Sequence, residues 1–266
     1  MCVRVGLGRV LAVCLVAFPA AAHAGAWTLD AGQSIAIVTG TAASADKAFD
    51  GSGHTQSIPR YSKSELQALF EFGATNWLTL MLAPSLQHVG IDPPFAAQRS
   101  GLGYTDIGAR ARLAGGESWV FSAQTTLRIP GTFDKSNAAA IGYTDPEIDL
   151  RGLFGYSFKA GTMPAFLDVQ VAQRFRFDGP PDEFRTDITL GIRPQDRWLV
   201  MLQSFNVISE GAGTWNLPSY SYSKLQLSAV YEVTPKLALQ LGGYTTYWGR
   251  NALQENGLVI GAWYKF

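Results

Sequence analysis

Residues 257–266, GLVIGAWYKF, alternate in character up to the last residue of the sequence. Successive side chains of an extended strand point to opposite faces. One face carries Leu258, Ile260, Ala262, Tyr264 and Phe266. The other face carries Val259, Gly261, Trp263 and Lys265. This pattern suits the last strand of a transmembrane β-barrel, because one face meets lipid there and every backbone group pairs with a neighbouring strand.

Short turns and longer loops alternate along the rest of the chain. Five short turn signals occur at 75–76, 115–116, 159–163, 194–196 and 234–236. Six longer segments rich in Gly, Pro and Ser occur at 46–60, 88–103, 130–144, 178–182, 209–220 and 248–255. Outer-membrane barrels have short turns on the periplasmic side and long loops outside. The pattern therefore predicts an all-β fold, a transmembrane antiparallel β-barrel of about 12 strands with both termini periplasmic.

Side chains alternate between apolar and polar in most of the predicted strands. In strand 7, Val169, Val171 and Phe175 oppose Arg174 and Arg176, while the phase of strands 1 and 9 is ambiguous. A soluble β-sandwich is the alternative. The long apolar faces, the charges opposite them and three tryptophans after short turns favour the membrane, namely Trp77, Trp119 and Trp198.

Pro84 is the one proline that falls inside a predicted strand away from turns and loops. A closed barrel has no edge strand that could accept a residue without an N–H group. We therefore expect a bulge, or the frayed end of strand 3, at Pro84.

The first 24 residues have the features of a secretory signal. Arg4 and Arg9 precede an apolar stretch, and Ala22-His23-Ala24 forms a cleavage site, so residues 25–266 would form the mature barrel. A lipoprotein signal centred on Cys14 is the alternative, but Val13 is bulky for the position before the cysteine. Both cysteines of the sequence lie in this segment, which excludes a disulfide framework in the mature chain.

Composition narrows the function classes. Cleavage removes two arginines and leaves 19 basic against 21 acidic residues, so a nucleic-acid partner is not expected. After the signal, the chain has no apolar run long enough for a membrane helix. A P-loop is also absent, so transport through the barrel would be passive.

Charged residues recur at the positions that should face the barrel interior. The candidates for lining the lumen are Arg110, Arg112, Arg128, Arg151, Arg174, Arg176, Arg185, Arg193, Asp106, Asp149, Asp168, Asp187, Glu71 and Glu232. One interpretation is a charged lumen that selects polar or anionic solutes. The other is a set of arginine–carboxylate pairs that stabilise the interior.

Catalysis and metal binding find little support in the sequence. A rim lipid hydrolase or protease would need a histidine beside a nucleophile or carboxylate, and the mature chain offers only His54 and His88. The carboxylates Asp145, Glu147 and Asp149 lack the spacing of a calcium loop. We therefore expect no catalytic residue, no metal and no cofactor.

Several stretches are similar to known outer-membrane proteins. The terminal Phe266, with Tyr264 before it, resembles the assembly signal that the barrel-assembly machinery reads in that class. RYSKSELQALFEFG (60–73), GLGYTDIGARARL (101–113), AAIGYTDPEIDLRGLFG (139–155), QRFRFDGPPDEFRTDITLGIRP (173–194) and GRNALQENGLVIGAWYKF (249–266) resemble a Gram-negative group called XagA-like or transporter-like. The resemblance implies a role in moving or anchoring surface polysaccharide, or a general porin function. It supplies no catalytic motif.

The sequence thus predicts a monomeric pore or solute-transport barrel in the outer membrane of a Gram-negative bacterium. Its expected partners are outer-membrane lipid and lipopolysaccharide, the barrel-assembly machinery, and a small polar or anionic solute or a polysaccharide. The alternative is a plugged structural barrel that anchors surface polysaccharide or a partner protein.

Overall fold

The computed structural model describes residues 25–131, 137, 139, 145–177, 179–214 and 217–266. The predicted signal and most of the loop 130–144 lie outside these residues. The strands are β1 (Ser34–Phe49), β2 (Thr55–Thr75), β3 (Leu78–Ile91), β4 (Ala97–Gly115), β5 (Trp119–Ile129), β6 (Glu147–Ala160), β7 (Met163–Arg176), β8 (Glu183–Gln195), β9 (Trp198–Ser209), β10 (Ser221–Glu232), β11 (Leu237–Arg250), β12 (Ala252–Leu253) and β13 (Asn256–Lys265). Among the described residues, no helix is long and apolar enough to cross a membrane.

The strands form one closed antiparallel ring. Each strand from β1 to β10 pairs with the next in sequence, and β11 pairs with β13. β1 closes the ring by pairing with both β13 and β2. β12 is a two-residue strand that adds to the end of β1. The ring therefore contains twelve long strands, which confirms the predicted barrel.

All five predicted short turns lie at one end of the barrel, which we call the turn end. The opposite end, which carries the longer connections, is the loop end. The last residue, Phe266, also lies at the turn end, where its backbone N–H donates to the Ser34 carbonyl. Which end faces the periplasm stays a prediction.

Three of the six predicted loops are shorter in the structure than predicted. Segments 46–60, 88–103 and 248–255 are largely strand, and the actual connections are 50–54, 92–96 and a few residues around β12. The Gly, Pro and Ser content of these segments suggested loops, but neighbouring strands supply hydrogen-bond partners for their backbones. As a result β2 and β4 reach 21 and 19 residues.

Pro84 interrupts the sheet as expected. The register between β3 and β4 shifts from Pro84↔Thr105 to Leu86↔Leu102, which places an extra residue on β4. A bulge of this kind accommodates a residue that cannot donate to the ladder.

The outer face of the barrel is apolar around its whole circumference. Large side chains that are more than 40% exposed occur on neighbouring strands, including Leu225, Leu227, Leu241, Leu258 and Ile260. Exposed tryptophans lie at the turn end, where they were expected to form an interfacial girdle, namely Trp77, Trp119 and Trp198. An apolar belt with an aromatic rim is the surface expected of a barrel in a lipid bilayer.

Placing a charge on this belt tests whether it meets lipid. Ile260 lies near the middle of β13 and is 60% exposed, so Ile260→Arg should cost about 2–4 kcal/mol of unfolding free energy in lipid vesicles. Urea unfolding followed by tryptophan fluorescence measures the change.

Phe95, 70% exposed in the connection 92–96, provides the control. Phe95→Arg should change stability by less than about 0.5 kcal/mol. Equal, small effects at both positions would contradict a lipid-facing belt.

Candidate functional site in the barrel interior

The loop-end half of the interior holds a dense set of ion pairs. We call it the loop-end network and define it by Arg128, Arg151, Arg174, Arg176, Arg185, Asp106, Glu147, Asp149, Glu183 and Asp187. Consecutive strands β4 to β8 each present one or more of these side chains. The period of two brings them to the same face of the sheet.

Glu147 pairs with three arginines of the network, and its side chain is only 3% exposed. Its Oε2 accepts a hydrogen bond from Arg128 at 2.8 Å, and its Oε1 accepts one from Arg176 Nε at 2.9 Å. The Tyr104 hydroxyl donates to the same Oε1 at 3.2 Å. Charge-assisted bonds of this number offset the cost of burying a carboxylate.

Asp149 and Asp106 extend the network along the wall. Asp149 accepts from Arg174 Nη2 at 3.1 Å and from Arg151 Nε at 3.2 Å. Arg151 also pairs with Asp187 on β8. Asp106 accepts from Arg128 Nε at 3.0 Å. Each predicted interior arginine in this half is therefore bound to at least one carboxylate.

Glu183, which sequence reasoning missed, anchors the network at the loop end. It accepts hydrogen bonds from Arg185 at 2.8 Å and Arg176 at 3.4 Å, and the Tyr220 hydroxyl also donates to it. Burial raises the pKa of the Tyr220 phenol, so the hydroxyl keeps its proton and acts as a donor. Glu183 directly follows a Gly- and Pro-rich loop and is the first residue of β8, so the alternation of side chains did not assign it to the interior face.

A cavity of about 490 Å³ opens above this network. We call it the vestibule. Its described lining comprises six cationic side chains, three glutamates and four tyrosines, namely Arg128, Arg174, Arg176, Arg185, Lys63, Lys224, Glu147, Glu183, Glu255, Tyr61, Tyr104, Tyr220 and Tyr222. Lys224 pairs with Glu255 at its edge.

The remaining predicted lumen residues lie nearer the turn end. Arg110 and Glu71 form a buried pair at 2.8 Å, and Arg193 pairs with Glu232 at 3.0 Å. Arg112 is exposed beside a register shift between β4 and β5, outside the ion-pair network. In this half, too, the charges lie in short ion pairs between neighbouring side chains.

The segment 25–33 enters the barrel interior from the turn end. The Ala31 N–H donates to the Asn76 side chain, and the Leu29 N–H donates to Thr79 Oγ1 at 2.8 Å. Deeper in the barrel, Ala26 is fully buried and its carbonyl accepts from Ser122 Oγ at 2.6 Å. Sequence reasoning treated residue 25 only as the start of the mature chain and missed this segment.

Trp27 fills the space beside the wall at this level. Its ring meets Phe166 edge to face, with centroids 6.1 Å apart, and its carbonyl accepts from Arg110 at 3.0 Å. Gly155 makes room for the indole, because a Cβ there would lie 2.5 Å from the ring. In the sequence, a glycine at an inward-facing position of β6 is the feature that could have indicated that another group packs against this strand.

An apolar layer occupies the turn end on the opposite side of the lumen. It consists of Leu199, Met201 and Val230, against which Phe166, Ala238 and Trp263 pack. Between this layer and the vestibule is a cavity of about 330 Å³ beside Gly25, lined mainly by Thr and Gln side chains. A separate cavity of only about 20 Å³ lies near Trp263 and Lys265. The interior is thus wide and charged at the loop end and tightly packed at the turn end.

The two histidines lie outside this interior. His54 is exposed in the connection 50–54, with its Nδ1 3.8 Å from Asp50, and backbone amides of His54 and Ser52 hold the pKa of the Asp50 carboxyl below its usual range. His88 Nδ1 lies 2.7 Å from Ser100 Oγ on the outer face. Among the described residues, no carboxylate pairs with the His88 ring, and no group of three or more metal ligands occurs.

The predicted assembly signal lies at the turn end. Tyr264 and Phe266 are exposed on the outer face, with ring centroids 5.0 Å apart.

The fold is that of known outer-membrane barrels. The COG4313 outer membrane channel from Pseudomonas putida F1 matches with a TM-score of 0.76 and 16% identity, over 91% of this chain and 98% of that one. The translocator domain of the autotransporter NalP from Neisseria meningitidis matches with 0.54 and 10%, over 90% of both chains. The NanC porin matches with 0.51 and 10%, over 87% of this chain and 100% of that one. No protein-family model matches the sequence, and a search of curated proteins returns no match.

The central place of Glu147 predicts a large loss of stability when it is neutralised. Glu147→Gln leaves Arg176 and Arg128 with fewer acceptors in a buried site, and should cost about 3–5 kcal/mol of unfolding free energy. Glu232→Gln, which removes a more exposed partner of Arg193, should cost about 1 kcal/mol or less. Urea titration in lipid vesicles measures both, and similar losses would contradict the assigned role.

Proposed function

We propose that this protein is an outer-membrane channel that binds small anionic polar solutes in its vestibule and lets them pass passively. The apolar outer belt and the likeness of the fold to outer-membrane channels and porins support the location and the general role. The observation that carries the choice of solute is that cations outnumber carboxylates, six to three, among the side chains that line the vestibule.

The vestibule has the chemistry to bind a hydrated anion. Six cationic side chains line the cavity with three glutamates, whereas Glu65, Asp106 and Asp149, which pair with lining cations, do not line it. The cations are therefore the charged groups that a solute meets most often, and they attract anions into the vestibule. The tyrosines add hydroxyl groups and flat rings that suit polyhydroxylated solutes, including the acidic sugar units of a polysaccharide. The ion pairs keep the arginine side chains extended along the wall, so that a solute meets preorganised donors.

The path inward continues along the Gln- and Thr-lined cavity beside Gly25. Amide and hydroxyl groups can replace part of the water around a polar solute without holding it tightly. The apolar layer around Trp263 lies beyond this cavity at the turn end. Passage from the vestibule to the turn end therefore requires movement of the packed groups there.

A second candidate function follows from that apolar layer. A barrel whose turn end is packed with side chains suits a plugged anchor for surface polysaccharide or a partner protein, as the resemblance to XagA-like proteins implies. Conductance separates the two. Purified barrel that inserts into planar bilayers and passes no ions would support the anchor.

Selectivity measurements test the channel. Arg174→Gln together with Arg176→Gln removes two of the six cations that line the vestibule and leaves Glu147 and Glu183 with one arginine partner each, so the ratio of anion to cation permeability should fall by about twofold or more. Reversal potentials across a salt gradient in planar bilayers measure this ratio. Arg193→Gln, outside the vestibule, is the control and should leave it unchanged. An unmoved reversal potential in the double variant would remove the anion proposal.

The exposed aromatic end of β13 predicts dependence on the assembly machinery of the outer membrane. Deleting Phe266 should lower the amount of folded protein in the outer-membrane fraction severalfold, since the terminal aromatic would no longer be recognised. Heat-modifiable mobility of membrane fractions on gels measures the folded form. Lys265→Ala, which keeps the aromatic terminus, is the control, and equal recovery of both variants would argue against this role.

A further inference from the structure

Asp168 differs from every other interior carboxylate discussed above. It is 1% exposed, and no Lys or Arg side chain in the described part of the chain pairs with it. Its hydrogen-bond donors are the neutral Ala26 N–H at 2.7 Å and the Gln170 side-chain amide at 2.6 Å. A buried carboxylate without a cation is costly, so this site calls for a positive group.

The nearest arginines are already committed elsewhere. Arg110 bonds to Glu71 at 2.8 Å, and Arg151 bonds to Asp149 and Asp187. Each of these pairs is itself largely buried, so neither arginine can turn to Asp168 without leaving another carboxylate unpaired.

Gly25 lies directly against this carboxylate. A Cβ on Gly25 would lie 2.8 Å and 2.9 Å from the two carboxylate oxygens of Asp168. The nitrogen of Gly25 is three covalent bonds from the Ala26 nitrogen that already donates to Asp168. Gly25 is also the residue at which the A-x-A site predicts cleavage of the signal. Hydrolysis of the Ala24–Gly25 bond consumes one water and leaves a protonated amine at this position.

We propose that Asp168 is the binding site for the α-ammonium group of Gly25, and that this ion pair holds residues 25–29 inside the lumen as a tethered plug. The ligand is a primary ammonium group supplied by the chain itself once the signal is removed. The docking requires that the signal is cleaved before Gly25, and it does not depend on the proposed channel function. The further statement that the plug restricts passage rests on the proposed channel function.

The rest of the segment is built to hold that position. Ser122 donates to the Ala26 carbonyl, Thr79 accepts from the Leu29 N–H, and Arg110 donates to the Trp27 carbonyl. Trp27 packs over Gly155. Polar groups of three strands thus satisfy the backbone of the segment, and the ammonium group completes the set at its tip.

The reactivity of the α-amine tests the docking. Near neutral pH the α-amine, with a pKa of about 7.7–8.0, is acylated in preference to lysine at about 10.4. The probe is a water-soluble acetyl ester, applied to the folded barrel in detergent, with peptide mapping by mass spectrometry. The wild-type amine should react at least about tenfold more slowly than the amine of Asp168→Asn, a ratio that corresponds to about 1.4 kcal/mol.

Two matched controls accompany the variants. Glu232→Gln removes another interior carboxylate, outside the loop-end network and without touching the segment, and should keep the wild-type rate. Gly155→Val, whose Cβ would lie 2.5 Å from the Trp27 ring, should release the segment and raise the rate even if Asp168→Asn fails to fold. Gly152→Val on the same strand, where a Cβ meets nothing within 4 Å, should not.

The outcomes separate this proposal from the channel. Equal α-amine reactivity in wild type, Asp168→Asn and Gly155→Val overturns the docking, and so does an intact mass that places the mature terminus away from Gly25. Protection in the wild type that is lost in both variants supports docking even if no barrel conducts. If the barrel conducts, Asp168→Asn and Gly155→Val should both raise the mean conductance over their controls, and unchanged conductance overturns the plug while leaving the ion pair.

Discussion

A closed ring of backbone hydrogen bonds is the constraint on which the rest of the structure depends. The ring exists because β1 pairs with β13 on one side, from Ile35↔Lys265 to Ser44↔Asn256, and with β2 on the other. With every strand paired, no edge is left for lipid to meet. Closure also fixes which side chains face inward, because a slip of one residue would send the arginines outward and the leucines into the interior.

The interior that results is divided along the axis of the barrel. Charged pairs centred on Glu147 support the loop end beneath the vestibule. Apolar packing around Met201 and Trp263 fills the turn end, and the segment 25–33 runs from the turn end into the interior along the wall. In the proposed channel, solute binding and the packing of the turn end are therefore carried by different residues, and a substitution can alter one without the other.

A period of two was enough to predict the barrel and most of the charged interior. It failed to give the phase of β9, because Leu199 and Met201 point inward while Leu202 points outward, so both faces of that strand are apolar. It could not pair the charges either, since partners such as Arg128 and Glu147 meet across strands. The residues of segment 25–33 show no periodic alternation of apolar and polar side chains. The position of this segment depends on contacts with strands that are distant in the sequence.

The unequal strand lengths have a consequence for how this protein can change over time. At an advance of about 3.3 Å per residue, β2 and β4 are longer than a bilayer requires. The barrel wall therefore extends further from the bilayer on this side of the rim, and it does so as hydrogen-bonded strands. Residues gained or lost inside it would disturb its register. On this side of the barrel, insertions are therefore tolerated best in the short connections 50–54 and 92–96, which lie between the strands.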